Sequence, residues 1–122
     1  MSRVLVVTDE PWVRNEVHAA LSIADTELID HEDPATAAAT AFGEGVDVVV
    51  VDLQIGAMGG MAVTRAIKDM EGDGRFIPVV MLLDRAADAF LAGRSGADGW
   101  VDKPFTPRQL RDALATAVSA AA

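Results

Sequence analysis

The chain has no cysteine, so a disulfide framework, a thiolate metal site and a thiol nucleophile are all excluded. It also has no apolar run of membrane-spanning length, and its start, Met1-Ser2-Arg3-Val4-Leu5-Val6-Val7, lacks the extended apolar stretch and small-residue cleavage site of a secretory signal. A cytoplasmic protein with no membrane segment is therefore expected. Nor is there a basic stripe. Residues 1 to 55 hold eleven acidic and two basic side chains and residues 56 to 122 hold eight of each, so the net charge of −9 lies wholly in the first half. Direct DNA or RNA binding is not expected, because nothing stands ready to displace counterions from phosphates. Gly56, Gly59 and Gly60 have neither the dinucleotide-binding spacing nor the lysine-serine/threonine ending of a phosphate-binding loop.

What is present is apolar and alternating. With 122 residues, 51% of them hydrophobic, the chain has material for one core, and a single domain over 1–122 is expected. Val4 to Val7 reads as a buried strand, and Thr8-Asp9-Glu10-Pro11 as a turn in which Pro11 opens a helix with Val13, Val17, Ala20, Leu21 and Ala24 on one face. Thr26 to Ile29 is a short strand. Asp33-Pro34 starts an alanine-rich helix that ends near Phe42-Gly43, and Val46 to Val51 is the strongest strand.

The second half repeats the pattern. Val63, Ala66, Ile67 and Met70 mark a third helix, broken by Gly72 and Gly74; Ile77 to Leu83 is a fourth strand with Pro78 at its start. A fourth helix over about Ala86 to Ser95 is weakened by Gly93, Gly99 to Asp102 is a fifth strand, and Thr106-Pro107-Arg108-Gln109 is a capping box ahead of Leu110, Ala113, Leu114, Ala117 and Val118. Five strands alternating with five helices predict an α/β, doubly wound, five-stranded parallel sheet with helices on both faces.

In such a sheet the carboxyl ends of the strands share one edge, which gathers Asp9, Asp52, Leu83-Asp84 and Lys103. Asp52 is the most informative of these, a carboxylate between a valine run and a glycine-rich loop. Two carboxylates there repel unless a cation lies between them, a role that suits Mg²⁺ with Asp9 and Asp52 as ligands. A carboxylate is also a nucleophile toward phosphorus, and Lys103 is the ammonium that would neutralise the transferred oxygens. Taken alone, Asp52 could equally be a turn residue and Lys103 a snorkelling lysine.

Val4 to Pro11, Val48 to Leu53, Gly59-Gly60, Ile77 to Met81 and Gly96-Ala97-Asp98-Gly99-Trp100-Val101-Asp102-Lys103-Pro104-Phe105 together resemble the receiver domain of bacterial two-component response regulators, over essentially the whole chain. The resemblance implies a CheY-like, flavodoxin-like sheet of order 2-1-3-4-5. It implies a phosphoacceptor at Asp52, supplied by a histidine kinase or phosphotransfer protein, with Mg²⁺ held by Asp9, Asp52 and the Gln54 carbonyl. It further implies a Lys103 contact to the phosphoryl group, switch positions at Leu83 and Trp100, and a cis peptide before Pro104.

The sequence departs from the family at Thr8, where a second acidic residue is usual, at Leu83, where a threonine or serine is usual, and at Asp84, where a small residue is usual. Thr8 brings no charge to a metal, Leu83 has no donor for a phosphoryl oxygen, and Asp84 adds repulsion toward a dianion. Trp100 at the switching aromatic position and Gly56 in place of a common loop proline are milder changes.

Two functions follow. In one, the chain is a single-domain receiver, not an enzyme, that takes phosphate on Asp52 and signals by protein contacts through the fourth helix, fifth strand and fifth helix, since no output segment follows Ala122. In the other, it is an atypical receiver used as a phosphorylation-independent interaction module. An Asp-nucleophile phosphatase is disfavoured because Gln54 stands where that chemistry needs a second carboxylate. His18 and His31 are read as solvated surface residues, and Trp12, Met58 and Met61 as core or rim packing.

Overall fold

The computed structural model of the chain describes residues 2–23, 25–56, 58–72 and 74–121. Its elements run β1 (Ser2–Val7), α1 (Pro11–Leu21), β2 (Thr26–His31), α2 (Ala37–Glu44), β3 (Val48–Asp52), α3 (Gly60–Asp69), β4 (Val79–Leu83), α4 (Ala89–Arg94), β5 (Gly99–Asp102) and α5 (Pro107–Ala121). All strand pairs are parallel, and the order across the sheet is β2-β1-β3-β4-β5. The chain crosses over to the far side of β1 after β2, so the loops after β1 and β3 diverge to opposite faces and leave a crevice between them.

The core divides by strand parity. Val49, Val51, Met81 and Leu83 pack with Leu5 and Val7 against α2, α3 and α4, whereas Val48, Val50, Val80 and Leu82 pack with Val4 and Val6 against α1 and α5. Successive side chains on a strand point to opposite faces, so a run of valines supplies both cores at once. That is why the central strands read as unbroken apolar segments.

Boundaries differ from the sequence expectation in ways that have local causes. β2 extends to His31 because it pairs along its full length with β1, and Val46 lies ahead of β3, where the Asp47 side chain accepts from the Arg3 amide and diverts the ladder. Asp33 caps as expected, accepting from Ala35 N, but the turn it opens is a 3₁₀ turn over Pro34–Thr36 that precedes α2. A second 3₁₀ turn, Ala86–Asp88, leaves α4 with six residues instead of the expected ten. Met70 and Val118, expected on apolar faces, are exposed, because Met70 caps α3 and Val118 lies where α5 has run past the described core. Ala24 falls outside the described residues. The capping box of α5 is formed reciprocally, Gln109 N donating to Thr106 Oγ1 at 3.1 Å and Thr106 N to Gln109 Oε1 at 2.9 Å.

Candidate functional site at the carboxyl edge of the sheet

Strand parity also builds the site. Thr8 follows β1, Asp52 ends β3, Asp84 follows β4 and Lys103 follows β5. The ladder continues beyond the strand ends through Thr8 N to His31 O, Leu53 N to Leu82 O and Lys103 N to Leu83 O, so the alternation persists for one more residue. Thr8, Asp52 and Asp84 continue the even-numbered series Val4-Val6, Val48-Val50 and Val80-Leu82, and Lys103 continues Val101. Four polar residues therefore emerge on the α1/α5 face. Leu83 belongs to the other series and is fully buried beside Val51 and Met81.

Asp52 is 1% exposed and fully engaged. Its Oδ1 accepts from Lys103 Nζ at 2.7 Å and from Gln54 N at 3.3 Å, and its Oδ2 accepts from Thr8 Oγ1 at 3.0 Å. Thr8 in turn accepts from Glu10 N at 3.2 Å, which orients its hydroxyl proton toward Asp52. Lys103 Nζ also lies 3.0 Å from Asp84 Oδ1, so one ammonium is shared between a buried and a partly exposed carboxylate. Burial alone would push the Lys103 pKa down, but Asp52 and Asp84 outweigh it and hold the ammonium above its ordinary value. Lys103 is protonated across the physiological range.

Asp9 stands at the rim. It is exposed, and its Oδ2 accepts from Gly56 N at 3.0 Å, which ties the turn after β1 to the loop after β3. The Lys103–Pro104 peptide is cis, as the resemblance implied. Gly59 has φ +82°, a left-handed value that favours glycine, and Gly60 lies so close to the backbone of Asp52 and Leu53 that a Cβ there would collide with both. The first turn of α3 is thus packed on the Asp52 peptide.

The other predicted residues fall in three places. Gln54 is exposed on the loop and enters the site through its backbone. Trp100 is 40% exposed and does not reach Asp52; its ring lies against Gly93 of α4 and lines a cleft of about 580 Å³ between α4, β5 and α5, with Asp102, Pro104, Gln109 and Asp112. Met58 is exposed and Met61 packs on the core. His18 is on the surface but not free, since its Nε2 meets Asp30 Oδ1 at 2.8 Å, and His31 Nε2 meets Thr36 Oγ1 at 2.8 Å.

Sequence reasoning missed two contacts. The Lys103–Asp84 bridge was legible in strand parity, which separates Asp84 from Leu83. The Trp12 ring, whose centroid lies 5.8 Å from Lys103 Nζ, carried no sequence signal beyond its place at a helix start.

The donors around Asp52 suit a hard divalent cation. Asp9, Asp52 and the Gln54 carbonyl would supply oxygen donors, and Lys103 is shared by two carboxylates, Asp52 and Asp84. Among the described residues no group of three or more His, Cys, Asp or Glu is placed to hold a metal ion by itself. Mg²⁺ takes few protein ligands and retains several waters. Thr8 offers such a water a hydrogen bond in place of a second charge.

Known proteins share this fold. The family model of the response regulator receiver domain matches residues 4–115. The chain is 30% identical over 111 residues to the phosphate regulon transcriptional regulatory protein PhoB of Pseudomonas aeruginosa, covering 88% of this chain and 47% of that protein. It is 33% identical over 112 residues to the DNA-binding response regulator MtrA of Mycolicibacterium smegmatis, covering 88% and 46%. The chain thus spans about half the length of the curated relatives it matches. Among solved structures, the chemotaxis protein CheY4 of Vibrio cholerae superposes with a TM-score of 0.82 at 29% identity, covering 96% of this chain and 98% of that one. The receiver domain of a Pseudomonas aeruginosa sensor histidine kinase, solved with magnesium coordinated in its active site cleft, shares the fold with a TM-score of 0.84 at 22% identity, covering 97% and 98%. With a family model spanning nearly its whole length, the chain belongs to the response regulator receiver domains of two-component systems.

Proposed function

We propose that the chain accepts a phosphoryl group on Asp52 and passes the signal to a partner protein, as a stoichiometric acceptor and not as a turnover enzyme. The observation that carries this reading is Lys103 Nζ at 2.7 Å from Asp52 Oδ1, in a site where Asp52 is otherwise buried. Receiver domains interact with histidine kinases or phosphotransfer proteins, and the donor here is a phosphohistidine of such a cytoplasmic partner. An Asp52 oxygen forms a bond to phosphorus as the P–N bond breaks. The electron pair leaves with the imidazole nitrogen, which takes up a proton.

Each residue has a part in that transfer. Thr8 and the Gln54 amide fix the carboxylate, so that it meets phosphorus in one orientation. Lys103 holds an oxygen of the arriving group and stays protonated to do so. Asp9, Asp52 and the Gln54 carbonyl would hold Mg²⁺, which supplies the remaining neutralisation of the phosphoryl oxygens when bound. Output runs through the α4, β5 and α5 face, where Phe90, Leu91 and Trp100 are exposed.

A second reading, an interaction module indifferent to phosphate, is favoured by one observation: Lys103 already carries a second carboxylate, Asp84, and the neighbouring Leu83 is buried without a donor. Intact-mass measurement after incubation with acetyl phosphate and Mg²⁺ separates the two. A single phosphate adduct, absent from Asp52→Asn, supports the acceptor; no adduct at saturating donor leaves the interaction module.

A further inference from the structure

Lys103 does not wait for a phosphoryl group with a free hand. Its ammonium has three N–H donors, and Asp52 Oδ1 at 2.7 Å and Asp84 Oδ1 at 3.0 Å take two of them. The two carboxylates differ in what they would lose by leaving. Asp52 is 1% exposed at its side chain, whereas Asp84 is 34% exposed and would be rehydrated at once. An anion seated on Asp52 therefore has one partner of Lys103 that it can readily replace.

Asp84 is also the first residue of the connection from β4 to α4. Arg85 follows, with Nη2 at 3.1 Å from Asp88 Oδ1 and its carbonyl accepting from Asp88 N, and these close the 3₁₀ turn that leads into the six residues of α4. The Lys103 bridge is what ties the start of this connection to the site from its side-chain end. Leu83, on the opposite face of β4, offers a phosphoryl group nothing.

We propose that Asp84 is a built-in anion on Lys103 that a phosphoryl group must displace, and that its displacement is how the 84–88 segment registers phosphate. The proposal rests on Asp52 being the acceptor. A phosphoryl group on Asp52 brings two negative charges to Lys103 within reach of Asp84, and like charges so placed repel while the loser of the contest regains water. The bridge thus slows phosphoryl arrival and, once broken, releases the entry to α4. Asp84 acts as a positioning residue and touches no reacting atom.

The test compares wild type, Asp84→Asn, Asp84→Ala and Asp52→Asn, each incubated with phosphoramidate and Mg²⁺. Adduct formation is timed by intact mass, and amide hydrogen exchange is followed over residues 84–89 before and after phosphorylation. Both Asp84 variants are expected to gain phosphate about tenfold faster, the effect in water of removing one unit charge about 6 Å from a dianion. Exchange over 85–88 should be fast in the unphosphorylated variants, and in wild type only after phosphorylation. Equal rates of phosphate uptake, or exchange that is unchanged by both substitution and phosphorylation, would overturn the Asp84 proposal and leave the acceptor reading intact. If no variant takes phosphate, the acceptor reading falls, and the Asp84 proposal with it. The near-isosteric Asn variant guards against a packing artefact of alanine.

Discussion

Replacing Lys103 by methionine keeps most of the aliphatic stem and removes the charge 2.7 Å from Asp52 Oδ1. Asp52, 1% exposed, is left with the Thr8 hydroxyl and the Gln54 amide. Breaking a buried pair from one side costs about 3–5 kcal/mol. The loss of stability in Lys103→Met should therefore be about 3–5 kcal/mol at pH 7. Urea unfolding reads it directly. Adding Asp52→Asn should restore most of the loss, because the amide needs no counter-charge. A loss under about 1 kcal/mol at pH 7, or no rescue by Asn, would refute the premise that Lys103 balances a buried carboxylate. The alkaline side gives the sign of the Lys103 contribution. The folded-state pKa of Lys103 is raised, so its stabilisation is complete below the ordinary lysine value and is lost as pH climbs through the folded one; Lys103→Met should lack that contribution to the alkaline fall.

Three further substitutions probe the surroundings. Thr8→Asp places a carboxylate beside Asp52 where a hydroxyl now sits at 3.0 Å; thermal melts should show a loss of about 2 kcal/mol without Mg²⁺ that millimolar Mg²⁺ recovers, with metal affinity rising about tenfold. Equal melts with and without the ion would count against a metal at this edge. Gly60→Ala drives a Cβ into the Asp52 carbonyl, 2.9 Å from Leu53 Cα, and should cost about 1–3 kcal/mol in urea unfolding while slowing phosphate uptake, since the acceptor peptide must shift. Gly93→Ala meets only the Trp100 ring at 3.5 Å, an ordinary contact, so calorimetry should show a gain of about 0.5–1 kcal/mol from helix propensity. A loss there would mean that α4 requires the glycine.

The elements were legible where one periodicity dominated. Val48 to Val51 could only be a strand buried on both faces, Pro11 and Pro107 marked helix starts, and the Gly99–Asp102 strand was bounded correctly by its flanking loops. What the sequence blurred were places where a side chain competes with the backbone. Asp47 interrupts the approach to β3, and Asp33 and Arg85–Asp88 open 3₁₀ turns that consume the first residues of the expected helices. At the site, pattern reading brought the right residues to one edge but treated Leu83 and Asp84 as a unit. The two lie on opposite faces, so one is core and the other reaches Lys103. The pairing of Asp9 with Gly56 N and the approach of Trp12 to Lys103 depend on loop geometry and have no periodic signature.

α3 is secured at both ends. Gly60 abuts the Asp52 peptide, while Lys68 near the other end bonds the Ile77 carbonyl, Glu71 and Asp98, and Asp98 in turn accepts from Val79 N. On the same face of the sheet as this strut, α4 has six residues, enters by a 3₁₀ turn and buries only Ala92. Of the two helices that leave the site's edge on that face, α3 is held at both ends and α4 by a single buried side chain. A rearrangement that starts at Asp52 therefore meets more resistance along α3 than along α4.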